Sequence, residues 1–317
     1  MYAQLLFFSC LVYLPLALGA AAKHHGVFKR DISQTVMACT WLGLEPAVMV
    51  AAFWSLDVQR VAEVSMAPLL GVAWMLSMYI PGALAARKLG LRRTQRGSFI
   101  LAAMFSNNGV TLGASLCLVL FGVQGQAMAL IFILGLMPLV LTLGFSIARR
   151  SAGWTPEERH ARHNARMMGI LRIVPYSAIA LGLTLNFAGV PRPEFLPSLN
   201  RTLALADVAL YSFAIGTLFV LSSVGKYLRE CLVMSGLKFL VSPVLGVLLF
   251  FVASQFVQFS PELLKAIIVQ CAMPVAIMSV VVSRFHGLDT DLAAACWVFT
   301  TLALAGVVPL LALVTRL

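Results

Sequence analysis

The sequence predicts an all-α integral membrane protein whose ten transmembrane helices form two five-helix inverted repeats. Three observations carry that prediction. The chain of 317 residues is 61% hydrophobic and 11% charged, whereas a soluble domain carries about 25% charged residues. Its Lys and Arg residues lie in short segments between apolar runs. Each half also holds an apolar run interrupted near its middle. Ser98–Phe121 is broken by Ser106-Asn107-Asn108-Gly109, and Leu263–Val282 by Met273-Pro274. Helix breakers at matching places in two halves of a membrane chain point to the binding site of a secondary transporter.

The spans follow from length and charge. A bilayer core needs about 20 apolar residues per helix. Ten such runs fit: 3–22, 33–54, 65–86, 98–121, 126–148, 168–189, 204–223, 231–254, 263–282 and 292–315. Between Gly97 and Ala148 no Asp, Glu, Lys, Arg or His occurs, so that stretch holds two spans joined by a turn at Phe121–Gln126. Leu5–Ala22 ends in small residues, as a signal peptide does, but no basic residue precedes it and another span follows at once. It is therefore read as the first span. The hydrophilic segment Arg149–Arg166 divides the chain into residues 1–155 and 156–317, with five spans in each. Five is odd, so the second half enters the membrane from the opposite side.

Charge sets the orientation. Most of the 23 Lys and Arg residues lie in the connections after spans 1, 3, 5, 7 and 9; the opposite side holds Arg60, Arg192, Arg201, Lys265 and Arg316. The positive-inside rule then makes the odd connections cytoplasmic and places both termini outside. The net charge of +11 therefore reads as a topological signal rather than a nucleic-acid surface. Six cysteines fall singly in or beside apolar runs without a CxxC, which argues against a disulfide framework or a zinc site. The five histidines all lie in connections. No HExxH, P-loop, GxSxG or flanked GxGxxG motif appears, so neither an enzyme nor a cofactor is expected.

Asn107, Asn108 and Gly109 are the first candidate site. Glycine weakens a helix by about 1 kcal/mol, and an unwound turn frees carbonyls for a cation and amides for a carboxylate. Such backbone is tolerated in a membrane where it lines a cavity or is buried in protein. Asparagine also serves as a plain clamp between membrane helices, so both readings stand. Pro274 lacks a donor and clashes with the carbonyl four residues back, which leaves Gln270 with an open C=O. Gln270 and Ser279 are assigned to the same cavity, with Met273 and Pro274 as further candidate substrate or ion residues; the alternative at Pro274 is a simple proline kink. Glu45, Asp207 and Lys238 are the ionisable residues singled out inside spans for proton or charge coupling, and such residues usually face a cavity or pair; Lys238 could also add a counter-charge for an anion. Glu45, next to Pro46, is either a proton carrier or the partner of Lys238 in a static salt bridge. Asp207 either couples charge or sits at the membrane interface.

Asn107-x-Gly109 with Phe121-Gly122-x-x-Gly125-x-Ala127, and Ala272-Met273-Pro274-Val275-Ala276 with Leu292-Ala293-Ala294 and Pro309, resemble the auxin efflux carrier family and its bacterial members. The resemblance covers essentially the whole chain. It implies a bile-acid-symporter-like elevator fold in which broken helices 4 and 9 cross. Spans 3–5 and 8–10 would form a transport domain, and spans 1, 2, 6 and 7 a scaffold, commonly dimeric. It also implies organic-anion cargo, auxin-like or a mono- or dicarboxylate, and a bacterial inner-membrane location. Leu112-Gly113-Ala114 stands where the family continues with Gly-Leu-Pro, and Glu45 is a second departure.

The functional expectation is a secondary active transporter of a small organic anion working by alternating access, with possible H+ or Na+ coupling, since no nucleotide site is visible. The alternative is a membrane-embedded sensor or scaffold that keeps the carrier fold without flux. A channel fits less well, because paired broken helices suit occlusion better than an open pore.

Overall fold

A computed structural model describes residues 2–25, 30–56, 61–152, 165–218 and 221–315. Residues 153–164, most of the dividing segment Arg149–Arg166 together with His160 and His163, lie outside the described residues. The described residues are helical, with one isolated β-bridge between Ser106 and Val275. Among the described residues, six helical stretches are long and apolar enough to cross a bilayer: Gln4–His24, Thr35–Trp54, Ser65–Lys88, Gly113–Ala152, Leu228–Ala253 and Thr290–Val314; Ile173–Phe187 is a shorter apolar helix. Gly113–Ala152 has 40 residues, about twice what one span needs. It is interrupted by Gly122, whose φ of 73° lies in the left-handed region. Only glycine adopts that conformation freely, and it falls within the expected turn Phe121–Gln126.

The chain forms two compact units. The first comprises Met1–Arg60, Asn108–Leu130 and Arg166–Phe219, and the second Val61–Asn107, Ile131–Ala165 and Val220–Leu317.

In the first unit, helices Tyr2–His24 and Leu196–Leu218 touch backbone to backbone. A Cβ at Gly19 would collide with the carbonyl of Phe213, and one at Gly216 with that of Leu16. Small residues permit such close approach between membrane helices, where apolar area alone drives little association. A Cβ at Gly182 would likewise meet the Val50 carbonyl. The C-terminal carbonyls of helix Glu45–Trp54 are capped from outside the helix: the Asn186 amide donates to Phe53 O, Trp54 O and Leu56 O at 3.1, 2.9 and 2.6 Å. Arg192 adds a bond to Leu56 O at 3.2 Å. These bonds satisfy groups that every helix end leaves orphaned.

In the second unit, helix Leu228–Gly236 runs through a π-turn, Leu237–Val241, into Ser242–Ala253. The π-turn precedes Pro243, as Thr40–Leu44 precedes Pro46 in the first unit. Proline removes a donor and crowds the carbonyl four residues back, and a widened turn relieves that clash. Helix Thr290–Val314 is capped by Asp289, whose Oδ1 accepts from Leu292 N at 2.9 Å. Its Oδ2 accepts from Tyr227 OH at 2.9 Å and from Gln95 Nε2 at 3.2 Å, which ties three segments of this unit together.

Candidate functional site

Helix Arg93–Met104 ends where Phe105 turns extended, at φ −105° and ψ 129°. Helix Pro261–Cys271 ends at Ala272, and a new helix, Ile277–Phe285, starts from the extended Ala276. The two interruptions pair with each other. Asn107 N donates to Pro274 O at 2.8 Å, Ala276 N donates to Phe105 O at 3.0 Å, and Ser106 and Val275 form the antiparallel bridge. Backbone that has lost its helical partners thus finds them in the other break, which is how non-helical backbone survives inside a membrane protein. Val275 N is further satisfied by Thr300 Oγ1 at 3.2 Å. The carbonyl of Gln270 is not left open, contrary to the sequence expectation, because Met273 N donates to it at 3.3 Å as the turn tightens.

The carbonyls at the end of helix Arg93–Met104 have partners of their own. Ser279 Oγ donates to Leu101 O at 3.1 Å. Lys238 Nζ donates to Ala103 O at 2.9 Å, to Phe105 O at 3.0 Å and to Ser106 Oγ at 2.8 Å. Lys238 is fully buried, and its charge lies at the negative end of that helix, where a cation is favoured. It comes from the π-turn, and the residues one and two turns further on share its face. Ser242 Oγ donates to Cys271 O at 2.6 Å and accepts from Trp74 Nε1 at 3.1 Å; a Cβ at Gly246 would strike Cys271 Sγ. One helical stripe, Lys238, Ser242 and Gly246, therefore serves both breaks.

Asn107 belongs to the second unit and Asn108 and Gly109 to the first. Asn108 is buried. Its carbonyl and that of Gly109 accept from Ala114 N at 3.2 and 3.0 Å, which turns the chain into helix Gly113–Phe132. Gly109 does not adopt a positive φ, and a Cβ there would meet nothing nearer than Thr111 Oγ1 at 3.9 Å. Neither backbone conformation nor packing demands glycine at 109. Gln270, Met273 and Ser279 are buried in the second unit.

Glu45 and Asp207 lie in the first unit. Glu45 follows the π-turn at the start of its helix, and only 6% of its surface is exposed. Asp207 is not at an end: it sits in the middle of Leu196–Leu218 with no exposed surface. The helix begins earlier than the apolar run does. Neither Asp207 oxygen has a hydrogen-bond partner. Helix Leu196–Leu218 packs against helix Glu45–Trp54, and Glu45 and Tyr211 lie within electrostatic reach of Asp207.

The sequence singled out Lys238 but missed the residues that define its role, Ser106 as its partner and Ser242 and Trp74 on the second break. The i, i+4 spacing of Lys238 and Ser242 was the available signal. Among the described residues, all six cysteines are free thiols, and no group of three or more His, Cys, Asp or Glu is arranged to hold a metal.

A family model described as the Sodium Bile acid symporter family matches residues 209–316, about one third of the chain. The matched stretch contains Lys238 and the second break. No curated protein matches the chain. The apolar helices and this similarity to a transporter family indicate a multi-pass membrane protein of transporter type.

Proposed function

We propose that the chain is a secondary active transporter of a small organic anion, auxin-like or a mono- or dicarboxylate, operating by alternating access. The pairing of the two broken segments through Asn107 N and Pro274 O carries this reading. Interrupted helices that meet backbone to backbone are the kind of element from which carriers build sites. The proposed substrate and ion residues are Asn107, Asn108, Gly109, Gln270, Met273, Pro274 and Ser279. The amino end of helix Ile277–Phe285 has no side-chain cap, and its first N–H groups favour an anion.

The same reading includes ten spans in two inverted repeats, outward termini, an elevator-like motion, an inner-membrane location and a homodimer. Two features support the repeats. Pro15 and Pro175 lie inside helices Tyr2–His24 and Ala165–Phe187, the first helices of the two halves. Glu45 and Asp207 lie on spans 2 and 7, which are counterparts. Coupling to H+ or Na+ is assigned to this carboxyl pair, because a buried carboxylate without donors requires a proton or a cation. A non-enzymatic role is consistent with similarity to a transporter family.

The test is counterflow in proteoliposomes, with labelled small carboxylates and purified protein. Saturable exchange supports the proposal. A folded protein that binds carboxylates without exchange would instead be the sensor or scaffold. Gly109→Ala sharpens the test, since it should leave the unfolding temperature unchanged and reduce exchange at least tenfold.

A further inference from the structure

The three oxygens gathered at the end of helix Arg93–Met104, from Ala103, Phe105 and Ser106, are all neutral. Two backbone carbonyls and a hydroxyl are the donor set that replaces the hydration shell of a hard monovalent cation. The cation seated there is the ammonium group of Lys238, and its three N–H donors are matched one to one by three oxygens between 2.8 and 3.0 Å. No donor is left over for an anionic substrate. The lysine reaches the site from a helix whose next turns pack on the second break, through Ser242 and Cys271. We propose that Lys238 is a tethered substitute for a bound monovalent cation: it holds the first break in place of a dissociable ion such as sodium.

The electrostatics follow. Either cation brings one positive charge to the same helix end, so the carbonyl dipoles are equally compensated. The tethered one cannot leave, and sodium has no place at these oxygens while the ammonium occupies them. A coupling ion must then bind elsewhere in the chain. Removing the lysine side chain should turn the position into a sodium site. This holds whatever solute the protein carries.

The experiment is thermal unfolding of purified protein in sodium chloride against choline chloride at equal ionic strength, with no transport assay involved. The wild type should unfold at the same temperature in both salts. Lys238→Ala, which leaves room at the oxygens, should fall by more than about 5 °C in choline and recover at least half of that, saturably, in sodium or ethylammonium, because a ligand of the native state stabilises it. Lys238→Met, which fills the space without a charge, should fall similarly and respond to neither cation. Either a sodium-dependent rise in the wild type or a Lys238→Ala protein indifferent to small cations would overturn the proposal. So would a Lys238→Ala protein that fails to fold with sodium and ethylammonium present.

Discussion

The two units each bury charge, and they treat it in opposite ways. In the second, the Lys238 ammonium group spends every donor on an oxygen at hydrogen-bond distance. In the first, Asp207 is equally buried, both of its oxygens lack a partner, and another carboxyl group, that of Glu45, stands nearby. The contrast is confined to the charged groups, because both units leave some neutral ones unsatisfied. The first unit also leaves Gln126 Nε2 and Asn200 Oδ1 unsatisfied, although the two amides share one bond of 2.7 Å. The second leaves unsatisfied hydroxyls at Ser98, Ser235 and Ser283. A satisfied buried charge fixes one geometry, whereas an unsatisfied one stays receptive to a proton or an ion. Lys238 therefore has a structural part in holding the first break, and Asp207 is the residue to which the proposal assigns coupling.

Neutralising each residue in turn is the strongest way to break this comparison. Lys238→Met strands the carbonyl of Ala103 and the hydroxyl of Ser106, while Phe105 O keeps the bond from Ala276 N; at about 1–3 kcal/mol for each stranded group, a total loss of about 2–6 kcal/mol is expected. Asp207→Asn breaks no existing hydrogen bond, since neither carboxyl oxygen has a partner, so the expected change is under about 1 kcal/mol in either direction. Chemical denaturation in detergent measures both. Equal losses would erase the distinction between the units.

Ser242→Ala probes the unit of Lys238 at a second point. The hydroxyl joins Trp74 to the carbonyl of Cys271, and its removal leaves a buried acceptor short of one bond. A loss of about 1–2 kcal/mol is expected. Because Trp74 Nε1 also reaches Ser242 O at 3.2 Å, the indole keeps a partner and the effect stays below that of Lys238→Met.

In the unit of Asp207, the informative variant is Glu45→Gln. Stability should change by less than about 1 kcal/mol, while the dependence of uptake on external pH should disappear. Unaltered pH dependence in a folded Glu45→Gln protein would remove the carboxyl pair from the coupling scheme.

The difference between the units also explains what was legible in the sequence. The broken runs at Asn107–Gly109 and Met273–Pro274 were visible because Asn, Gly and Pro are poor helix residues on local grounds. Helix breaking is a property of a few neighbouring residues. The destination of the freed carbonyls was not visible, since it depends on a lysine more than 130 residues away in sequence. The same limit hid the middle position of Asp207. Asn200 and Arg201 lowered the apparent hydropathy at the start of that helix, yet Asn200 is completely buried against Gln126. The charged residues Glu45, Asp207 and Lys238 could be picked out by composition, but which one is satisfied is a three-dimensional fact.

The smallest expected effect lies at the edge of the second unit, outside the spans. His286 follows helix Ile277–Phe285 and is 2% exposed. One ring nitrogen lies 3.0 Å from Val282 O. A carbonyl only accepts, so that nitrogen carries the hydrogen. The ring packs edge-on against Phe145 at 4.7 Å between centroids. Burial pushes its pKa below the usual histidine value; the bond to Val282 O opposes this, and Arg149 adds to it. The folded state therefore binds a proton less readily than the unfolded chain does. Stability contributed by neutral His286 is complete above the unfolded value of about 6.5 and declines as pH falls below it. His286→Gln removes that titration while keeping a donor for Val282 O. Between pH 7.5 and 5.5 the wild type should lose slightly more thermal stability than His286→Gln. Parallel curves for the two proteins would show that the ring remains hydrated in spite of its packing on Phe145.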